Sequence, residues 1–192
     1  MSLLKSTPLF KVLNNHCGPY YSFKWPPKGE WTATRKNVES CVDGWHLTPL
    51  LSLHNWLNCV INSSNLELWR AVGDGKSDTK QSNKVAFARA KLTVRLDTSR
   101  ETIKKLTLFG YKKIEQLEGA YSIEYMKNQD GFNDTNSSYI RTYTSVHSKM
   151  AYWLQIPENS QLDRNRKTAA RAFFRKVCAT WRISYSKAIG NL

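Results

Sequence analysis

The chain has 192 residues and a formal net charge of +14, from 29 Lys and Arg against 15 Asp and Glu. With 41% hydrophobic and 12% aromatic residues, it is not a disordered polar chain and can form a packed domain with an appendage. It has no apolar run of about 18 residues, so we predict no membrane-spanning helix. The N-terminal "MSLLKSTPLFKVL" lacks the long apolar segment of a signal peptide, and we expect a cytoplasmic protein.

The excess of positive charge is the strongest signal in the composition. A strongly basic surface attracts polyanions, because its summed field extends beyond any single contact. We therefore expect a partner that is nucleic acid, an acidic protein or a nucleoprotein complex. The alternative is a basic surface with no dedicated ligand.

The first half of the chain has the pattern of strands with one helical segment. Four short alternating or apolar stretches predict strands, at residues 8–13, 44–48, 66–72 and 84–96. Residues 50–61 have apolar side chains at helical spacing. The Gly-, Pro- and aromatic-rich residues 14–31 predict a long ordered loop, and residues 73–83 a polar loop.

The second half has the pattern of helices. Residues 97–119 predict a helix with Thr98 or Ser99 as N-cap and Gly110 as a break. Residues 126–145 predict a polar linker, and the sequence leaves open whether residues 128–138 are ordered. We expect residues 146–156 to pack and Pro157 to end that segment.

These elements predict an α+β fold, with a small, mainly antiparallel sheet and packed helices. We divide the chain into an α+β domain over residues 1–97, a helical and loop extension over 98–160, and a basic C-terminal amphipathic helix over 161–192.

The C-terminal helix, which we expect to begin with Asp163 as its cap and to continue to about residue 189, is a candidate for phosphate binding. Offsets of 7, 11 and 18 residues return to nearly the same helical angle. They place four arginines on one face: Arg164, Arg171, Arg175 and Arg182. Lys167 adds to this charge, and forked arginine donors suit successive phosphates. The alternative is a solvated helix face, with Trp181 and Tyr185 in the core rather than stacked on bases.

The strand over residues 84–96 is a second basic candidate. Its alternation predicts two faces. The face predicted to be buried consists of Ala86, Ala88, Ala90, Leu92, Val94 and Leu96, and the face predicted to be partly solvent-exposed consists of Val85, Phe87, Arg89, Lys91, Thr93 and Arg95. This face would extend the basic surface, or it is an ordinary exposed sheet face.

The stretch "ESCVDGWHLTPLLSLHNWL" contains Cys and His residues, the residue types of a metal or catalytic site. A zinc site would need Cys41, His46, His54 and either Cys17 or Cys59, but the spacing matches no zinc pattern and the chain has no C-x-x-C pair. We predict no metal, no cofactor and no catalytic residue. The four Cys, Cys178 included, are expected to be reduced, mostly buried thiols. The remaining interpretation of His46 is a buried or half-buried ring bonded to backbone.

Residues 9–96 nevertheless resemble a family of small uncharacterised proteins of bacteriophages and bacteria. The resemblance rests on "FKVLNNHCGPYYSFKWPPKGEW", on Cys41-x-x-Gly44-Trp45-His46-Leu47, and on "LELWRAV" and "KVAFARAKLTVRL". It implies phage or mobile-element origin and a role in host takeover or against host defence. The Asn-rich loop and the basic helix of the second half depart from the family pattern.

The order of strand, loop, Gly-aromatic-His strand, helix and paired strands is also similar to the mono-ADP-ribosyltransferase fold. This similarity implies a nucleotide site with His46 and Trp45, and Glu67 and Glu124 are the acids available as a catalytic carboxylate. Fold analogy by itself is a weak argument for function.

Three hypotheses follow. The leading one is a non-enzymatic phage-type accessory protein that binds nucleic acid, or a nucleic-acid-containing host complex, through its basic face. The second is an ADP-ribosyltransferase-like enzyme or pseudoenzyme. The third is a small structural protein of a virion.

Overall fold

The computed structural model describes residues 7–18, 23–39, 42–60, 65–129 and 138–190. Within these residues it confirms the α+β fold. The strands are β1 (Leu9–Asn14), β2 (Trp45–Pro49), β3 (Leu66–Asp78) and β4 (Val85–Leu96). The helices are α1 (Leu53–Leu57), α2 (Arg100–Glu118), α3 (Ala120–Gln129), α4 (Ser138–Gln155), α5 (Gln161–Thr180) and α6 (Tyr185–Ile189). The chain divides into two compact units, Met1–Thr98 and Ser99–Leu192.

The first unit is built on a closed sheet of four antiparallel strands in the order β1–β2–β4–β3, with β1 also pairing β3. All four predicted strands are present. However, β3 continues through residues 73–78, which the sequence predicted as loop, because these residues pair with β4 as far as Asp78 and Ala86. Gly73 permits this pairing, since a Cβ there would lie 2.1 Å from the Phe87 ring.

The sheet encloses a core rich in tryptophan, with Trp25, Trp45, Trp69 and Leu92 buried together. The predicted faces of β4 are wrong for Val94, which is 43% exposed, and they are also wrong at the start of the strand. Val85 and Phe87 belong to this core, while Ala86 and Ala88 pack on the other side against Val38.

The loop over residues 23–39 covers an edge of β4. The N–H groups of Gly29 and Thr32 donate to the carbonyls of Leu92 and Ala90 at 2.9 Å each, and the N–H of Ala90 donates to the Thr32 hydroxyl. The loop thus protects a part of β4 that lies beyond the β2 pairing from pairing with another chain.

The second unit is a helical bundle in which α2, α4 and α5 pack on one another. Its core holds a cluster of aromatic rings: Tyr143, His147, Phe173, Phe174 and Trp181. Gly110 does not break α2. A Cβ there would lie 2.2 Å from Val146, so this glycine lets α4 approach α2 closely.

The observed ends of the helices differ from several of the predicted boundaries. Ser99 caps α2, as predicted, by accepting from the Thr102 N–H. Ser160, and not Asp163, is the N-cap of α5, because its hydroxyl accepts from the Asp163 N–H. Residues 138–145, predicted as linker, form the start of α4, while residues 130–137 of the predicted loop lie outside the described residues. Over the described part of the chain, no helix is both long and apolar enough to cross a membrane.

Candidate nucleic-acid interface

The positive charge is shared between the two units. Residues 1–98 contain thirteen Lys and Arg against seven Asp and Glu, and residues 99–192 contain sixteen against eight. Exposed basic side chains in each unit are therefore candidates.

In the first unit, an exposed tryptophan and two cations of β4 form what we call the Trp31 patch, which consists of Trp31, Arg89 and Lys91. The guanidinium carbon of Arg89 lies 4.7 Å from the Trp31 ring centre, and the Lys91 Nζ lies 4.6 Å from it. The Trp31 side chain remains 37% exposed. The hydrogen bonds of Gly29 and Thr32 to β4 hold the backbone on both sides of Trp31.

The two cations of the Trp31 patch differ in whether a carboxylate of the protein is paired with them. Arg89 is bonded to Asp74, with Nη2 at 2.6 Å and Nε at 2.9 Å from the same carboxylate oxygen. For Lys91 no ion pair is found among the described residues, so its charge is available to an anion. Arg95, the third predicted residue of this strand, is exposed and lies four positions beyond Lys91, a distance of about 13 Å along a strand.

In the second unit, α5 carries its predicted basic side chains in different environments. Arg164 is exposed and donates to the Gln161 side chain at 3.0 Å. Lys167 and Arg171 share Glu158, with nitrogen–oxygen distances of 3.4 and 3.9 Å. The shared carboxylate offsets part of the positive charge at the middle of the helix.

The four predicted arginines do not share one helical face, because α5 ends at Thr180, before Arg182. The N–H groups of Arg182 and Ile183 donate to the carbonyls of Ala179 and Cys178, a pair of bonds that closes a helix in the Schellman motif. Arg182 therefore has a positive φ of 51° and lies beyond the helix. Arg175 is exposed on α5, with its guanidinium 5.2 Å from the Tyr185 ring centre.

Trp181 is not available for base stacking. It is only 4% exposed and packs edge-on against Tyr143 at 6.3 Å. The interpretation that places Trp181 in the core is therefore correct.

The predicted nucleotide residues Trp45 and His46 have separate environments. Trp45 is buried in the core, and its indole N–H donates to the Ala33 carbonyl at 2.8 Å. His46 is half-buried and lines a narrow crevice between β1 and β2. Cys41 lies outside the described residues, and Cys17, Cys59 and Cys178 are free thiols.

The two acids considered for catalysis lie in different units. Glu67 is buried on β3 and accepts hydrogen bonds from the backbone and ring of His16 and from the indole of Trp69. These contacts give Glu67 a structural role. Glu124 is exposed on α3 of the second unit.

Sequence reasoning selected Arg89, Lys91 and Arg95, but it missed Trp31. The sequence feature that could have indicated Trp31 is the aromatic loop over residues 14–31. The sequence predicts that this loop is ordered, but it does not show which segment the loop contacts. The register of that loop against β4 is a tertiary feature that local patterns do not contain. The resulting arrangement can stack a planar base on an exposed ring while a lysine meets a phosphate.

In comparisons with protein-family models, curated proteins and solved structures, none matched this chain.

Proposed function

We propose that this protein is a non-enzymatic nucleic-acid-binding protein that holds single-stranded segments on the Trp31 patch. The observation that supports this proposal is the indole of Trp31, which is 37% exposed and has two cations within 5 Å of its ring centre. Stacking on an aromatic ring tolerates any base, and lysine contacts to phosphate carry no sequence information. We therefore expect weak sequence preference.

The exposed arginines of α5 supply a second contact region in this proposal. Arg164 and Arg175 are exposed, and within the part of the chain that the structure describes neither forms an ion pair. They would add salt-dependent affinity without base recognition.

The proposed biological role is that of a phage-type accessory protein in the host cytoplasm. Its support is the sequence resemblance of residues 9–96. The target would then be host nucleic acid or a complex that contains it. A test of this role is co-purification of nucleic acid from host extract at low salt, which high salt should abolish.

The test of binding is fluorescence anisotropy with short single- and double-stranded oligonucleotides at about 50 and 200 mM salt. If three phosphates are contacted, single-strand affinity should fall roughly tenfold or more over this range. Trp31→Ala should remove the stacking contribution, a loss of roughly fivefold to a hundredfold. Lys91→Glu should weaken binding and flatten the salt dependence.

The matched control is Lys80→Glu, which makes the same charge change at an exposed lysine in the turn between β3 and β4. If it weakens binding as much as Lys91→Glu does, only net charge matters and the proposed patch is wrong. If Arg164→Glu with Arg175→Glu abolishes binding while Trp31→Ala leaves it unchanged, the interface lies on α5 instead.

A further inference from the structure

The C-terminal part of the second unit carries basic side chains that the proposed function uses only in part. Four exposed cations lie between residues 175 and 187, and we call them the C-terminal patch: Arg175, Lys176, Arg182 and Lys187. They belong to α5, to the turn after it and to α6. Because α6 packs on α5, and the Arg175 guanidinium lies 5.2 Å from the Tyr185 ring centre, the start of α6 lies beside Arg175.

The C-terminal patch differs from the first half of α5 in that no carboxylate of the described residues pairs with its cations. In the first half, Arg166 pairs with Glu118 and Asp163, and Lys167 pairs with Glu158. After Asp163 the sequence contains no Asp or Glu. Among the described residues, none forms an ion pair with a cation of the patch, so these charges are available to an anionic partner.

Buried side chains hold the backbone of the patch in place. Trp181 and Ile183, on either side of Arg182, are 4% and 7% exposed. Ile189, two positions after Lys187, is also buried. Because the core fixes the backbone at these cations, binding does not have to order a mobile segment.

The surface around these cations is polar. Among residues 163–190, all of which the structure describes, no large hydrophobic or aromatic side chain is exposed. The exposed residues close to Arg182 and Lys187 in the chain include Thr180, Ser184 and Ser186. Hydroxyl groups and cations are the side-chain donors that proteins use toward phosphate oxygens. Within residues 163–190 there is thus neither an exposed ring for stacking on a base nor an exposed apolar anchor of the kind found at the centre of protein interfaces.

We propose that the C-terminal patch binds the sugar–phosphate backbone of double-stranded nucleic acid. In a duplex the bases are stacked inside and the phosphates lie outside at regular spacing, so cations held on a rigid backbone without an exposed ring suit this form. A single strand offers unstacked bases, which suit the exposed Trp31 ring of the first unit. The inference rests on the proposed function for the class of partner, but it uses no residue of the Trp31 patch.

The first experiment measures binding of the whole protein to a short blunt-ended DNA duplex, by fluorescence anisotropy at about 50 and 200 mM salt. If the four cations meet four phosphates, duplex affinity should fall roughly a hundredfold over this range. The double variant Arg182→Gly with Lys187→Gln removes two of these contacts. It should bind more weakly at low salt and lose only about tenfold over the same range. Glycine is chosen at position 182 because it adopts the positive φ of 51° without strain.

The matched control is Lys104→Gln with Lys112→Gln, which removes two charges at exposed lysines on α2 of the same unit. It should bind the duplex nearly as tightly as wild type does. Melting temperatures of all variants show whether weaker binding comes from unfolding, and the exposed pair Arg175→Gln with Lys176→Gln repeats the test if the first variant is unfolded. No duplex binding by wild type, or an equal loss in the patch and control variants, would overturn the proposal.

A single-stranded oligonucleotide of the same length separates this inference from the proposed function. Arg182→Gly with Lys187→Gln should lose duplex affinity and keep most of the single-strand affinity, and Trp31→Ala should do the reverse. If single-strand binding does not depend on Trp31 while duplex binding depends on the patch, the proposed function fails and this inference stands. If the patch variant keeps its duplex affinity while Trp31→Ala loses single-strand binding, this inference fails and the proposed function stands. An equal loss of both ligands in the patch variant would contradict the preference for duplex.

Discussion

Replacing Lys11 with Met should stabilise the protein at neutral pH, although it removes the hydrogen bond that the Lys11 ammonium donates to the His46 carbonyl. Lys11 is buried, and its pKa falls from the ordinary 10.5 to about 8. That difference corresponds to a cost of roughly 3 kcal/mol for holding the ammonium in the folded state at pH 7. Met fills a similar volume without charge, so Lys11→Met should raise the free energy of unfolding by about 1–3 kcal/mol.

The sign of the pH dependence follows from the direction of the shift. Below about pH 8 the lysine is charged in both states, and the full cost is present. Between about pH 8 and 10.5 the folded protein has lost this proton while the unfolded chain still holds it, so wild-type stability gains as pH rises. At pH 10 the remaining cost is below about 1 kcal/mol, and the advantage of Lys11→Met should have shrunk accordingly.

The assay is urea unfolding followed by tryptophan fluorescence at pH 7 and pH 10. Five of the seven Trp lie in the first unit, so the signal reports mainly on the strands. The difference between variant and wild type cancels the titration of all other groups, and Lys36→Met serves as an exposed control. A variant that is less stable at pH 7, or whose advantage is the same at both pH values, would refute the reasoning.

Three further predictions concern the second unit. Gly110→Ala should lower the free energy of unfolding by roughly 1–3 kcal/mol despite the better helix propensity of Ala, and the double variant with Val146→Ala should recover stability in the same urea titration. Glu118 accepts from one cation on α4 at 2.6 Å and pairs with one on α5 at 3.2 Å. Burial by itself would raise the pKa of Glu118, but the two cations lower it overall, so Glu118→Gln should cost roughly 2 kcal/mol at pH 7. That cost should begin to fall as pH drops below the ordinary carboxyl range, and it is lost fully only below the lowered pKa of the folded state. Unfolding at pH 3 should therefore show a smaller cost than unfolding at pH 7. Arg182→Gly should raise stability by about 1 kcal/mol in thermal unfolding, because glycine adopts a positive φ without the Cβ clash, and an unchanged melting temperature would contradict the closure of α5 described above.

The sequence by itself determined the α+β fold and the strands of the first unit, because alternation and helical spacing record which side of an element is buried. It also selected Arg89 and Lys91 as basic residues on a strand. Only the tertiary structure showed that a distant loop places Trp31 on those two cations. Likewise, Lys11 sits in an apolar stretch whose pattern gives no sign that its ammonium lies within about 6 Å of the same indole as that of Lys84.

The end of the basic helix α5 is another feature that the sequence pattern does not determine. The apolar stripe of residues 163–189 continues across the break, so periodicity alone extended the helix through Arg182. The helix ends there, and both Trp181 and Ile183 are buried. Residues two positions apart point to opposite sides of a straight helix, so one helical face could not bury both. Local patterns fix which residues seek the core, but the contacts between distant segments decide where the chain must turn to bury them and which charges come to lie together.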